Sequence, residues 1–368
     1  MSKILKIVFI KPTNSSFISV DQKILEKHYR VTTYLLNQNK GKVTYFRNLF
    51  RLAFILLWNA ERNSAFVCWF GDYHAAIMVF MANLKRKPSV ILAGGQEAIC
   101  YKELGKGVYL KPIRGFFVKY ALRNCSLILP NHQSLIYHEN NFYNPDHPHI
   151  DGIKHYVKGI KGEIVVIPNG IDTSRVNRNP GIPKDPNLVL TVGTMNKLSD
   201  FYNKGFDLFI ELARRCKTIE FVAIGVKKDY LAWIEEQYKI SEIVNLKVIP
   251  SSPVEVLTEY YNKAKVYLQV SITEGMPNSL GEAMLCECIP VGSNVNGIPD
   301  VIGNTGVLVY KRDLNELEEA LHKAMSMDSG PQARIHTLEN YSIEKRDKRL
   351  YEVLETHFNN WHQDGIKG

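Results

Sequence analysis

The strongest constraint in this sequence is a rhythm. Short runs of aliphatic and β-branched residues alternate with longer runs whose apolar positions recur at helical spacing. In the first half the strand-like runs are "ILKIVFI", "AFVCWFG", "PSVILAGG" and "SLILPN". Between them lie the helix-like "DYHAAIMVFMANLKR" and "KPIRGFFVKYALRNC", the latter with Pro112 near its start. A short strand in "EIVVIPNGIDTSRV" then runs into Pro168-Asn169-Gly170, a strong turn signal. The rhythm restarts with "NLVLTVG", "IEFVAIG", "NLKVIP", "VYLQVSI", "IPVGSN" and "GVLVY" as strands, with helical runs between them. Strand–helix–strand repetition builds parallel sheets covered by helices, so the chain reads as α/β. At 368 residues it is too long for one ordinary core, and two domains follow, dividing near Pro168–Asp172.

One segment breaks the rhythm. Residues 139–163 are polar and rich in Asn, His and Pro, and read as an irregular, solvated insert. His147 and His149 lie there, but no acidic or Cys partner stands at ligand spacing, so no metal site is read from them. None of the six cysteines forms a CxxC pair, which argues against a disulfide framework or a zinc site and for a reducing, cytoplasmic setting. The start "MSKILKIVFIKP" lacks a signal-peptide pattern, and no apolar window reaches the roughly 18 residues of a membrane span. The run Leu49–Trp58 is too short and carries an arginine; it reads as core, with a place on a lipid-docking face as the alternative.

Charge divides unevenly. Residues 1–170 hold 23 Lys and Arg against 10 Asp and Glu, whereas the remainder holds 23 against 27. A basic half faces an anionic partner. No nucleic-acid motif is present, so an anionic membrane surface is the expected one. In "KPIRGFFVKYALR", Lys111, Arg114, Lys119 and Arg123 fall within about half the circumference of a helix, with Ile113, Phe117, Tyr120 and Ala121 largely opposite. That is the pattern of a helix packed on its sheet with a solvated basic face, or of one docked on anionic lipid.

The stretch "SITEGMPNSLGEAM", Ser271–Met284, carries the chemistry. It follows an apolar strand and precedes a helical run, so it sits beyond the carboxyl end of a strand, where open parallel sheets bind ligands. A helix starting near Asn278 or Ser279 would turn the positive end of its dipole there, which suits a diphosphate. Gly275 lets the backbone approach closely and Pro277 stiffens the turn. Glu282 would offer two acceptor oxygens to a ribose, and Glu274 would accept from the hydroxyls of a second sugar. Two other readings exist: "SLGE" is a capping box, Ser279 to Glu282, and a carboxylate pair also serves glycosidases.

The block Glu274–Met284 resembles the "EGxPNxxxEAM" signature of the retaining glycosyltransferases of family 4. So do "VIPNGID", "NKGFDLFIELA", "IPVGSNVNGIPDVI" and "TGVLV", in the family's order, and "YSIEKRDKRLYEVL" resembles its last helix. The resemblance covers about residues 164–355. It implies a GT-B fold: two Rossmann-like domains facing a central cleft, with residues 1–167 on the acceptor side, 168–345 holding the nucleotide sugar, and 346–368 as a helix crossing back.

It also implies roles. Lys204, at the "KG" start of a helix, would bind the diphosphate and steady the departing nucleotide, and Glu274 would hold the transferred sugar. Gly275, Met276, Pro277 and Asn278 would supply backbone contacts, Glu282 the ribose contact, and Ile249, Pro250 and Ser251 the edge of the nucleobase. Where the family carries an arginine this chain has Thr194, with Lys197 as the substitute. Where it has a glycine pair this chain has "KPTNSSF", leaving Ser15 or Ser16 as donors. Where many members place a histidine it has "AGGQEA", with Gln96 or Glu97 near that spot.

The implied activity is transfer of a sugar from a UDP- or GDP-sugar to a hydroxyl of a glycan or lipid-linked acceptor. Configuration would be retained, and no metal or other cofactor would be needed. The setting would be cell-surface glycan, polysaccharide or glycolipid synthesis at the inner face of a membrane. The alternatives are a nucleotide-sugar 2-epimerase and a non-catalytic nucleotide-sugar binder.

Overall fold

A computed structural model describes residues 5–37, 41–58 and 64–364. The chain forms two compact units. Residues 1–138, 151–170 and 343–368 make up the first, and residues 139–150 and 171–342 the second.

The first unit contains β1 (Lys6–Lys11), α1 (Ser16–His28), β2 (Arg30–Leu35), α2 (Lys42–Trp58), β3 (Ser64–Trp69), α3 (Tyr73–Leu84), β4 (Ser89–Ala93), α4 (Pro112–Asn124) and β5 (Leu127–Pro130). Where the chain passes into the second unit and returns, β6 (His138–Asn140) and β7 (His149–Asp151) pair as a two-stranded ribbon. Then come α5 (Ile153–Tyr156) and β8 (Glu163–Ile164). The main sheet has the order β2-β1-β3-β4-β5-β8, and its strands are parallel. β1, β3, β4 and β5 are buried along their whole length because helices cover both faces. β2 is an edge strand and half exposed, so it lacks the apolar run that marks the others. Helices α2, α3 and α4 pack side by side, and α1 packs with α14 (Ile343–Asp364).

α14 is fixed to this unit by a buried charge. Arg346 meets Asp21 through Nε at 2.5 Å and Nη2 at 2.6 Å, while Trp69 Nε1 donates to Asp21 Oδ2 at 2.9 Å. The guanidinium also donates to the carbonyls of Ile167 and Pro168, at 2.9 and 2.6 Å. Each guanidinium nitrogen and each carboxylate oxygen of the pair is thus engaged, the condition under which a buried ion pair is tolerated.

The second unit runs β9 (Asp185–Val192), α6 (Leu198–Lys204), α7 (Phe206–Arg215), β10 (Glu220–Val226), α8 (Leu231–Tyr238), β11 (Leu246–Pro250), α9 (Val254–Lys263) and β12 (Ala264–Gln269). It continues through α10 (Asn278–Leu285), β13 (Ile289–Ser293), α11 (Ile298–Ile302), β14 (Val307–Val309), α12 (Leu314–Met325) and α13 (Gly330–Tyr341). The parallel sheet has the order β11-β10-β9-β12-β13-β14. Successive strands step outward from β9 to one side and then, from β12, to the other.

Two readings of the sequence need correction. Residues 139–150 are not simply a solvated loop. Phe142 is buried in the second unit's core, Asn140 Nδ2 donates to the Ile272 carbonyl at 2.7 Å, and Arg312 N–H donates to the Phe142 carbonyl at 3.1 Å. Likewise Leu49–Trp58 is not simply core. Leu49, Leu52 and Leu56 are buried, but Phe50, Phe54, Leu57 and Trp58 are exposed. No helix among the described residues is long and apolar enough to cross a membrane.

Candidate active site

In the second unit the topological switch point lies between β9 and β12, the neighbours from which the strand order departs in opposite directions. The chain leaving β9 reaches Lys204, and the chain leaving β12 reaches Glu274. Their side chains form an ion pair at this point, each about one-fifth exposed.

Local geometry explains how Lys204 arrives there. It is the last residue of α6 and not, as its neighbourhood in sequence reads, the first of a helix. A cation at a helix C-terminus is favoured by the dipole, so α6 supports the lysine. Gly205 then turns the chain into α7 with φ of +74°, and a Cβ there would lie 2.6 Å from the Val270 carbonyl oxygen. Only glycine meets both demands. The Lys204 stem lies over Gly193, whose own Cβ would come within 3.4 Å of Lys204 Cγ.

Glu274 is held from the other side. Asn296, in a left-handed conformation with φ of 46°, accepts from the Glu274 N–H at 3.0 Å, and its Oδ1 lies 3.1 Å from Thr273 Oγ1. Gly297 N–H donates to the Gly275 carbonyl at 3.0 Å. Asn203 Nδ2 donates to the Thr273 carbonyl at 3.2 Å, while the Ile272 N–H donates to the Asn203 carbonyl at 2.8 Å. The turn is thus clamped between the segment before Lys204 and the loop after β13. Asn203 and Asn296 escaped the sequence reading; the Asn296-Gly297 turn signal was the one clue available.

α10 begins at Asn278 with Pro277 as its N-cap, so no side chain caps it. The capping-box reading of Ser279 and Glu282 is not realised. Ser279 Oγ lies 3.2 Å from Gln269 Oε1, and Glu282 Oε2 accepts from Tyr261 OH at 3.2 Å. Burial raises the Glu282 pKa; Arg175 and the Tyr261 hydroxyl pull it down, and Asp172 pushes it up. Gly275 and Met276 are buried, and Pro277 and Asn278 continue the same turn into the helix.

The other candidates follow the strand ends. Thr194 and Lys197 lie just beyond β9 and are exposed. Ile249 and Pro250 close β11, and Ser251 Oγ donates to the Gly225 carbonyl at 3.2 Å. Because the strands are parallel, β11, β9 and β12 all end on one edge of the sheet. Lys204, Glu274, Gly275–Asn278 and Glu282 gather at the switch point, with Ile249–Ser251 two strands away from β9.

The remaining candidates belong to the first unit. Ser15 is the N-cap residue of α1 beyond β1, its Oγ 2.9 Å from Thr13 Oγ1, and Ser16 is exposed beside it. Gln96 and Glu97 follow β4. Gln96 is exposed, but the Glu97 carboxyl is fully buried, with Oε1 accepting from the Gly94 N–H at 3.0 Å and Oε2 without a partner. Burial pushes its pKa up to about 7, against the pull of nearby backbone N–H groups. Among the described residues, Cys216, Glu318 and His322 bring three ligand-type atoms within 4.8 Å. That group lies at the end of α7, toward the opposite edge of the sheet, and Arg215 pairs with Glu318 at 3.2 Å.

Residues 172–341 match the family model of glycosyl transferases group 1. The second unit is a group 1 glycosyltransferase domain. Among curated proteins, the chain is 26% identical over 210 residues to the GPI3 subunit of phosphatidylinositol N-acetylglucosaminyltransferase from Saccharomyces cerevisiae, covering 52% of this chain and 43% of that protein. It is 29% identical over 168 residues to the trehalose synthase of Thermococcus litoralis, covering 41% of this chain and 40% of that one. The matched segments thus span less than half the length of these relatives.

Solved structures extend the likeness to both units. Sucrose-phosphate synthase from Thermosynechococcus elongatus superposes with a TM-score of 0.72 at 13% identity, covering 97% of this chain and 100% of that one. Anabaena HepE in complex with UDP gives 0.68 at 13% identity, covering 96% and 100%. At such identity the likeness shows the fold, and the fold is GT-B.

Proposed function

We propose that the protein transfers a sugar from a nucleoside-diphosphate sugar to a hydroxyl acceptor, with retention of anomeric configuration. The observation that carries this reading is the convergence of Lys204, Glu274 and the N-terminus of α10 at the switch point of the second unit. The diphosphate lies at the helix start, where the dipole favours anions. Lys204 leaves its pairing with Glu274 to meet the phosphate charge that grows as the glycosidic bond breaks, and Glu274 is then released to accept from the hydroxyls of the donor sugar. Charge stabilisation of the leaving group by a fixed cation and backbone dipoles is the main catalytic effect. On this reading no metal is required.

Glu282 holds the ribose, its orientation set by Tyr261. Ile249–Ser251 border the base. No residue is assigned as a covalent nucleophile. The leaving phosphate assists deprotonation of the acceptor on the same face. The relative named for N-acetylglucosamine transfer supports sugar transfer, and the neighbour solved with UDP supports a uridine nucleotide as the donor's carrier. The test is a thermal-shift screen of UDP-, GDP- and ADP-sugars, followed by assay of sugar release from the stabilising donor. A ligand at about 100 times its dissociation constant adds roughly 2.7 kcal/mol. Stabilisation by one nucleotide class with slow sugar release supports the reading. Interconversion of donor epimers would replace it with an isomerase, and stabilisation without turnover on any acceptor with a binding protein.

A further inference from the structure

The first unit carries an apolar surface that its own core does not use. On α2 the exposed residues Phe46, Phe50, Phe54 and Trp58 are 50%, 72%, 63% and 82% accessible. With Val43, Arg47, Arg51 and Leu57 they occupy an arc of about 140° at 100° per residue, opposite the buried Leu49, Leu52 and Leu56. A helix with a leucine stripe inward normally turns polar groups outward. This one turns aromatic rings outward, with two arginines among them.

The surface continues onto the neighbouring helices. The Phe46 ring lies 6.4 Å from Tyr73 on α3, Tyr73 lies 5.4 Å from Phe117 on α4, and Phe117 lies 5.6 Å from Phe116, which is 68% exposed. These contacts join the N-terminal turns of three helices. Each helix follows a parallel strand, so those turns lie at the carboxyl edge of the sheet, the edge that carries Gln96.

Charge identifies what covers this surface. Residues 43–58, 73–87 and 111–124 contain nine Lys and Arg and no Asp or Glu. Among these cations Arg114 pairs with Asp72, at 3.0 and 2.6 Å. A second copy of the chain docked through the same face would set Arg47 and Arg51 against their own equivalents, with no carboxylate from these segments to separate them. An anionic bilayer instead supplies phosphates for the cations and an acyl boundary for Phe and Trp rings.

We infer that the face formed by α2, α3 and α4 docks on an anionic lipid surface, with the aromatic stripe of α2 entering the interface. This goes beyond the basic face that the sequence marks on α4: α2 supplies the apolar insertion, and α3 and α4 extend it. The inference does not depend on the donor site.

Co-sedimentation with phosphatidylcholine vesicles of rising phosphatidylglycerol content, at low and high salt, tests it on the full chain. Binding rises with the anionic fraction and falls with salt. Arg47→Glu/Arg51→Glu weakens it at least about tenfold, since each surface cation contributes roughly fivefold and two are lost. Phe50→Ser/Phe54→Ser removes the salt-resistant part; both residues are exposed, so circular dichroism and melting temperature stay unchanged. No binding of wild type to anionic vesicles at low salt would overturn the inference, as would binding indifferent to the two phenylalanines. A concentration-dependent dimer abolished by the same serine pair would reassign the face to a second copy.

Discussion

Glu97 offers a quantitative test of how the carboxyl edge of the first unit is built. Its carboxyl group is fully buried, and burial holds the folded-state pKa at about 7 against a usual 4.5. The folded chain therefore keeps a proton that the unfolded chain releases. Stability is lost as pH rises from about 4.5 to about 7, and the loss is complete above that window. At about 1.4 kcal/mol per unit, the cost at high pH is roughly 3 kcal/mol. Glu97→Gln keeps the shape and the acceptor for the Gly94 N–H but never ionises. The variant is expected to match wild type at about pH 4.5 and to exceed it by roughly 3 kcal/mol at about pH 8. Urea unfolding across this pH range, with constant m-values, measures the difference. A difference that does not change with pH, or a variant less stable than wild type at the alkaline end, would refute the reasoning.

Other expectations concern the second unit. Lys204→Ala lowers turnover by an order of magnitude or more, because a cation that stabilises the leaving phosphate is lost, while its partly exposed ion pair with Glu274 contributes about 1 kcal/mol or less to stability; steady-state rates and melting curves check both, and an unchanged rate on the working donor would remove Lys204 from the mechanism. Gly205→Ala destabilises by more than about 1 kcal/mol, because the left-handed backbone and the 2.6 Å approach to the Val270 carbonyl both resist a methyl group. Chemical denaturation measures it, and a neutral substitution would show that the α6–α7 turn is not constrained as described.

The sequence made the sheets legible because their central strands are buried on both faces and so are written as unbroken apolar runs. β2 was not legible: as a half-exposed edge strand its six residues, RVTTYL, mix polar and apolar types and form no unbroken apolar run. α1 was missed too, because its buried face includes Asp21, whose partner Arg346 stands 325 residues away. In the site, Lys204 and Glu274 were legible as chemistry, but their pairing was not, since it depends on the switch point bringing together residues 70 apart. Their supports, Asn203 and Asn296, work through backbone contacts that leave no spacing pattern. For the aromatic stripe of α2 the sequence leaves core and a lipid-docking face both open, with core the first reading, because hydropathy reports apolar character and not the direction a helix faces.

The central claim is that the switch point of the second unit holds a nucleoside diphosphate, with Glu282 on its ribose. Titration calorimetry of UDP into wild type and Glu282→Gln tests it most directly. Gln preserves the contact with the Tyr261 hydroxyl, so the fold and melting temperature stay the same. It loses the second charged acceptor for the paired ribose hydroxyls. The account predicts that wild type binds UDP and that the variant binds at least about tenfold more weakly, the loss of one charge-assisted hydrogen bond. Equal affinity in the two proteins, with wild type binding measurably, would contradict it.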